Sequence, residues 1–134
     1  LEATDTIRRL FPDPMAEAKR YYDELGYYPI MHIMAFRNEV VEREPDLPRA
    51  VIAMWESAKR TAALYYEDPG YSEIAFVRNA MEHQDEMFGG DIWPSGFAAN
   101  RDNIARFIDY SADQGLISAA YPPERLFHAS VLDT

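Results

Sequence analysis

Pro29-Ile30-Met31-His32-Ile33-Met34-Ala35-Phe36 is the stretch on which the reading of this 134-residue chain turns. It is short and apolar on both faces, the pattern of a strand buried within a sheet rather than half exposed. Pro29 fits the first position of such a strand, where no ladder donor is needed. A period of two puts Ile30, His32, Met34 and Phe36 on one side. It is the one clear strand, and one strand makes no sheet. Either other strands are hidden in the sequence, or the partners lie in another piece of protein.

On either side of this stretch the periodicity is helical. Asp13-Pro14 reads as an N-cap followed by proline at the first helical position. Met15, Ala18, Tyr22 and Leu25 then share one helical face, and Gly26 is a stop. Asn38 starts a short helix that ends before Pro45. Asp46 caps the longest helix, about 47–66. Leu47, Val51, Met54, Trp55, Ala58, Ala62 and Tyr65 line one face of it, and Ile52, Ala63 and Tyr66 widen that face, so the helix is expected to be buried on most sides. Asp68-Pro69-Gly70 breaks it. Ser72 opens a helix carrying Ile74, Val77, Met81, Gln84 and Phe88 in step, ended by Gly89-Gly90. Residues 91–99 read as a loop. Asn100 caps a helix with Ile104, Phe107, Ile108 and Ser111 inward and Gly115 as its stop. Pro122-Pro123-Glu124 opens a last short helix through Phe127. The reading is therefore five or six helices and one strand.

Composition narrows the function classes. The chain carries 48% hydrophobic and 27% charged residues, enough apolar material for one core and too little charge for a disordered chain. Its net charge of -10 repels phosphate backbones and anionic lipid, so neither nucleic acid nor membrane is expected as a partner. There is no cysteine, which excludes disulfides and thiolate chemistry. No apolar run reaches membrane length, and no signal-peptide pattern is seen. The opening Leu1-Glu2-Ala3-Thr4-Asp5-Thr6 suggests a processed chain or a piece of something longer.

Few residues suggest chemistry. His32 within an apolar strand is either a general acid or base at a cleft mouth or a core histidine satisfied by the backbone. Arg37, just past the strand, can grip a carboxylate in bidentate fashion or pair with Glu39 or Glu42 at the surface. Glu82-His83-Gln84-Asp85-Glu86 lacks metal-ligand spacing, because His83 does not share the face of Glu82 and Glu86. No metal site and no cofactor is expected, and no phosphate-binding glycine motif or nucleophile elbow is present. The loop Asp91-Ile92-Trp93-Pro94-Ser95-Gly96 combines a Trp-Pro pair with a nearby glycine. Such a loop has a fixed shape, which suits either a site wall or a structural turn with Trp93 as a plug.

The order of these motifs resembles the C-terminal part of the 4,5-dihydroxyphthalate decarboxylase family. The resemblance rests on Tyr28-Pro29-Ile30-Met31-His32 followed by Arg37, the loop from Asp91 to Gly96, Asn100-Arg101, Tyr110, Gln114-Gly115-Leu116 and Pro123-Glu124-Arg125-Leu126-Phe127. Leu10-Phe11-Pro12-Asp13 also fits, so it runs from about Ile7 to Leu132. Ser95 stands where an aromatic residue is expected, which alters the shape of the pocket.

The resemblance implies an α/β fold, mostly helical in this piece. The piece would be the C-terminal fragment of a two-lobed fold like that of type II periplasmic solute-binding proteins. Residues 1–28 would end the second lobe. Residues 29–134 would hold the hinge-crossing strand and C-terminal helices packed on the first lobe. It implies decarboxylation of an aromatic dicarboxylate in aromatic catabolism, with His32 as acid or base, Arg37 binding a carboxylate, and Asp91 and Trp93 lining the pocket. Arg78 and Arg101 are weaker candidates. The partners implied are a small aromatic carboxylate and either a second copy or the missing N-terminal part, in the cytoplasm. Two other classes remain. One is a periplasmic solute-binding protein of a transporter, which shares the fold without catalysis. The other is a helical interaction module, which would cover its own apolar faces; the decarboxylase-like reading expects an exposed apolar edge instead.

Overall fold

The computed structural model describes residues 6–134. Residues 1–5, most of the polar opening and the start of the segment assigned to the second lobe, lie outside the described residues. The described residues form five α-helices: α1 (Pro14–Leu25), α2 (Asn38–Arg43), α3 (Leu47–Glu67), α4 (Val77–Phe88) and α5 (Phe97–Asp113). Three short 3-10 turns, Pro69–Tyr71, Pro123–Leu126 and Ala129–Val131, complete the set. No described helix is long and apolar enough to cross a membrane.

Local chemistry explains most of the helix ends. The Asp13 carboxylate accepts from the N–H groups of Met15 (3.1 Å) and Ala16 (3.0 Å), with Pro14 in the first turn of α1. Gly26 closes α1 in the left-handed region, its N–H reaching Tyr22 O at 2.8 Å. Gly89 ends α4 in the same way on Asp85 O. Two starts depart from the expected positions. Ser72 caps only a turn, accepting from Ile74 N–H at 3.1 Å, and α4 begins at Val77. α5 begins at Phe97 rather than after Asn100, because Thr134 supplies acceptors there. Its carbonyl takes Ala98 N–H at 2.5 Å and its hydroxyl takes Phe97 N–H at 3.2 Å. The expected last helix is the 3-10 turn Pro123–Leu126.

The core gathers on α5. Phe97, Ile104 and Ile108 are buried, with Ile30, Ile117, Tyr121, Phe127 and Leu132 packed on them. Arg49 ties α3 to the C-terminal segment, donating to Ser130 O (3.0 Å) and pairing with Asp133. Aromatic edges join α1 to α4 through Tyr22 and Phe88, centroids 5.1 Å apart.

The expected strand is a correction. Residues 29–36 form no strand, and no strand occurs among the described residues. A ladder needs a second extended segment to exchange N–H and C=O groups, and none lies beside this one. Ile30 reaches the core, whereas Met31, Ile33 and Met34 are 66%, 64% and 61% exposed. The α/β class is thus not visible in this chain, whose described residues are helical or irregular. The expected burial of α3 is corrected too: only Pro48 is buried, and Met54, Trp55 and Leu64 stand in solvent. Apolar patterning reports which faces require cover, not what supplies it. The total makes the same point. A compact monomer of 15.4 kDa exposes about 7,200 Å². This chain exposes 10655 Å².

Candidate functional site

The loop between α4 and α5 is built to hold one shape. Asp91 Oδ1 accepts from Trp93 N–H at 2.9 Å, a side-chain turn within the loop. Lys59, from the middle of α3, reaches across to Asp91 Oδ2 at 2.6 Å and Trp93 O at 2.7 Å, and also pairs with Glu56 Oε1 on its own helix at 3.1 Å. The Ser95 side chain faces the Glu56 carboxylate. Asn100 Nδ2 closes the far side, donating to Pro94 O (2.7 Å) and Gly96 O (2.9 Å). Gly96 adopts φ +105°, and a Cβ there would lie 2.6 Å from the Thr134 carbonyl carbon, so only glycine fits.

The electrostatics follow from these contacts. Burial, the largest single influence on Asp91, raises its carboxyl, but the Lys59 hydrogen bond, the Trp93 N–H and the Lys59 charge together hold it below its ordinary value. Glu56 is likewise held low, chiefly by Ser95, then by Lys59. Burial works against the Lys59 ammonium, yet Asp91 and Glu56 overcome it and raise its pKa. All three groups are therefore charged at neutral pH. Both Asp91 oxygens are engaged, so Asp91 acts as a brace that orients Trp93. The Trp93 ring meets Tyr28 edge-on, centroids 4.8 Å apart, and Tyr28 meets Phe88 at 6.0 Å. Trp93 is 39% exposed, so it walls the surface rather than plugging a core.

His32 and Arg37 lie further along the chain from Tyr28 and Pro29. Tyr28, against which Trp93 rests, precedes His32 by four residues. Both His32 and Arg37 are exposed, and neither side chain makes a hydrogen bond or ion pair among the described residues. His32 is thus not a satisfied core histidine, and Arg37 is not paired with Glu39 or Glu42. The Arg37 carbonyl accepts from Val40 N–H (3.0 Å), opening α2. Asp91 and Trp93 are brought together, but no contact joins them to His32 or Arg37. Arg78 is engaged by Glu82 (3.0 Å) and Arg101 by Glu124 (2.7 Å). His83 lies 3.8 Å from Glu86 on a solvated face, and no group of three metal-ligand side chains occurs among the described residues.

Sequence reasoning missed Lys59 and Glu56. Their spacing of three on a helix was the available signal, pointing both side chains one way. Their loop partners, 32 or more residues on, were not legible. It also missed Arg106, whose Nε donates to the Tyr27 hydroxyl at 2.6 Å across 79 residues.

No protein-family model matches the chain. It is similar to a protein of Comamonas testosteroni named 4,5-dihydroxyphthalate decarboxylase, with 29% identity over 130 residues. The alignment covers 96% of this chain and 39% of that protein. The chain thus spans about two fifths of the length of the curated relative it matches.

Proposed function

We propose that this chain is part of a decarboxylase acting on an aromatic dicarboxylate, with 4,5-dihydroxyphthalate as the first substrate to test. One observation carries the reading: a relative of that name aligns with nearly the whole chain. The unpaired His32 and Arg37 and the braced Trp93 loop support it. In the fold this reading implies, residues 1–28 end one lobe, and residues 29–134 cross back and pack on the other. The exposed apolar surface of 29–36 and of α3 then seats against the rest of a longer protein, a better fit than a self-covered interaction module.

The chemistry assigns roles. In 4,5-dihydroxyphthalate each hydroxyl is para to a carbon bearing a carboxylate. Deprotonating a hydroxyl pushes an electron pair toward that carbon. The carbon takes a proton, the bond to its carboxylate breaks, and carbon dioxide leaves with 3,4-dihydroxybenzoate as product. His32 supplies the acid or base, since an imidazole nitrogen can give or take a proton. Arg37 holds the retained carboxylate, a need made acute by a net charge of -10. Trp93 walls the aromatic ring, and Asp91 keeps Trp93 in place.

The test is carbon dioxide release from 4,5-dihydroxyphthalate by the full product of the gene that encodes this chain, with ligand binding followed in parallel. Turnover that His32→Ala abolishes is expected. Turnover unchanged in that variant removes His32 from the mechanism. Tight binding without turnover overturns the enzyme reading and favours a solute-binding protein.

A further inference from the structure

Several cations of this acidic chain are neutralised by carboxylates among the described residues, whereas Arg106, like Arg37, is not. Lys19, Arg20, Arg49, Lys59, Arg78 and Arg101 all pair with carboxylates. Arg106 has no carboxylate partner among the described residues. Its Nε donates instead to the Tyr27 hydroxyl at 2.6 Å, with the Tyr110 side chain beside it. A guanidinium has five N–H donors, so this leaves a full positive charge, already oriented, with donors to spare.

That charge borders a groove between α1, α5 and the start of the 29–36 segment. The groove has a volume of about 140 Å³ and is lined by Tyr21, Pro29, Ile30, Phe107 and Tyr110, with Asn103 and Arg106 as its polar members. An apolar cavity of about 150 Å³ is large enough to take one benzene ring. Asn103 is not a free recognition group, because its Nδ2 donates to Tyr28 O at 2.8 Å and fixes the groove wall. Phe107, expected inward from its helical register, is 66% exposed and forms the outer lip. A ring-sized apolar slot beside one uncompensated arginine suits a planar anion with a single aromatic ring.

We propose that this groove binds an aromatic carboxylate, the ring lying between Tyr21, Phe107 and Ile30 and the carboxylate on Arg106. The inference rests on the proposed function for choosing a carboxylate over other small anions. The groove also adjoins the proposed chemistry, since Ile30 and His32 are two residues apart, at most about 7 Å along the chain. Arg106 then offers a second cationic grip besides Arg37, as a substrate with two carboxylates requires.

The probes are benzoate and the uncharged benzyl alcohol, titrated into the full gene product and followed by ligand-observed NMR and calorimetry. Saturable benzoate binding is expected, weakened tenfold or more in Arg106→Gln and partly restored in Arg106→Lys. Benzyl alcohol should bind both forms alike. Circular dichroism confirms that each variant keeps its helices. Benzoate binding equal in wild type and Arg106→Gln overturns the proposal, as does no saturable binding at all. The two readings separate cleanly. Turnover of 4,5-dihydroxyphthalate with a KM unmoved by Arg106→Gln keeps the decarboxylase and removes this groove. Arginine-dependent benzoate binding without turnover keeps the groove and removes the decarboxylase.

Discussion

Replacing Gly96 with alanine tests whether the Trp93 loop is held by the C-terminal segment. Gly96 sits at φ +105°, ψ 165°, a region essentially closed to residues with a Cβ. Forcing alanine there costs about 1–3 kcal/mol. The new methyl would also lie 2.6 Å and 2.8 Å from the carbonyl carbon and oxygen of Thr134, so backbone must move. Moving it breaks the bonds from Ala98 and Phe97 N–H to Thr134, at about 0.5–1.5 kcal/mol each. The expected loss is about 2–6 kcal/mol, a large share of the roughly 5–15 kcal/mol that stabilises an ordinary domain. Gly26→Ala is the internal control. Gly26 has φ +76° but nothing within 4 Å of a built Cβ, so only backbone strain applies, at about 1 kcal/mol. Urea unfolding of both variants, followed by circular dichroism, gives the difference. Equal losses in the two variants would refute the close approach of Thr134. A Gly96→Ala loss below about 1 kcal/mol would refute the strain argument as well.

The other predictions concern charge and cover. Lys59→Met removes three contacts at a half-buried site and should cost about 1–2 kcal/mol while making Trp93 more accessible to acrylamide in a Trp55→Phe background. Unchanged quenching would show that Lys59 does not hold the loop. Asp91 and Glu56 are held below their ordinary values, so their contribution is full above about pH 5 and is lost as pH falls through the lowered folded values. Lys59 is raised, so its contribution is full below about pH 9 and is lost only as pH rises through the raised folded value. Urea midpoints of the wild type should therefore be flat between these limits relative to Lys59→Met. The 134-residue chain alone should bind a hydrophobic dye or self-associate, and serine at Met31, Ile33 and Met34 together should reduce both. A monomer that ignores the dye would mean these faces are covered.

How far the sequence could be read depended on the range of the forces involved. Asp13, Pro14, Gly26 and Gly89 act within one turn, and their caps were legible. Residues 29–36 and α3 were read correctly as apolar, but 29–36 was expected as a strand and α3 as buried on most sides, because patterning carries no information on the covering surface. The start of α5 was misplaced by four residues because its cap comes from Thr134, 37 residues on from Phe97. Within the candidate site, Asp91 and Trp93 were recognisable from the composition of their loop. Lys59 and Arg106 were not, since each gains its meaning from partners 32 to 79 residues distant.

The seat of Thr134 on the start of α5 also bears on how the chain acquires its structure. It closes residues 97–134 into a ring of contacts that contains most of the buried apolar side chains. Closing a loop of that length carries a modest entropic cost, and the cost rises only slowly with further length. This segment has the means to order early and to exchange its amide hydrogens slowly, as one cooperative unit. Residues 29–36 have no backbone partner to protect them, and their amides should exchange at close to the rate of an open chain. A deuterium-exchange map would then show a protected C-terminal unit and an apolar arm that gains protection only on meeting its cover.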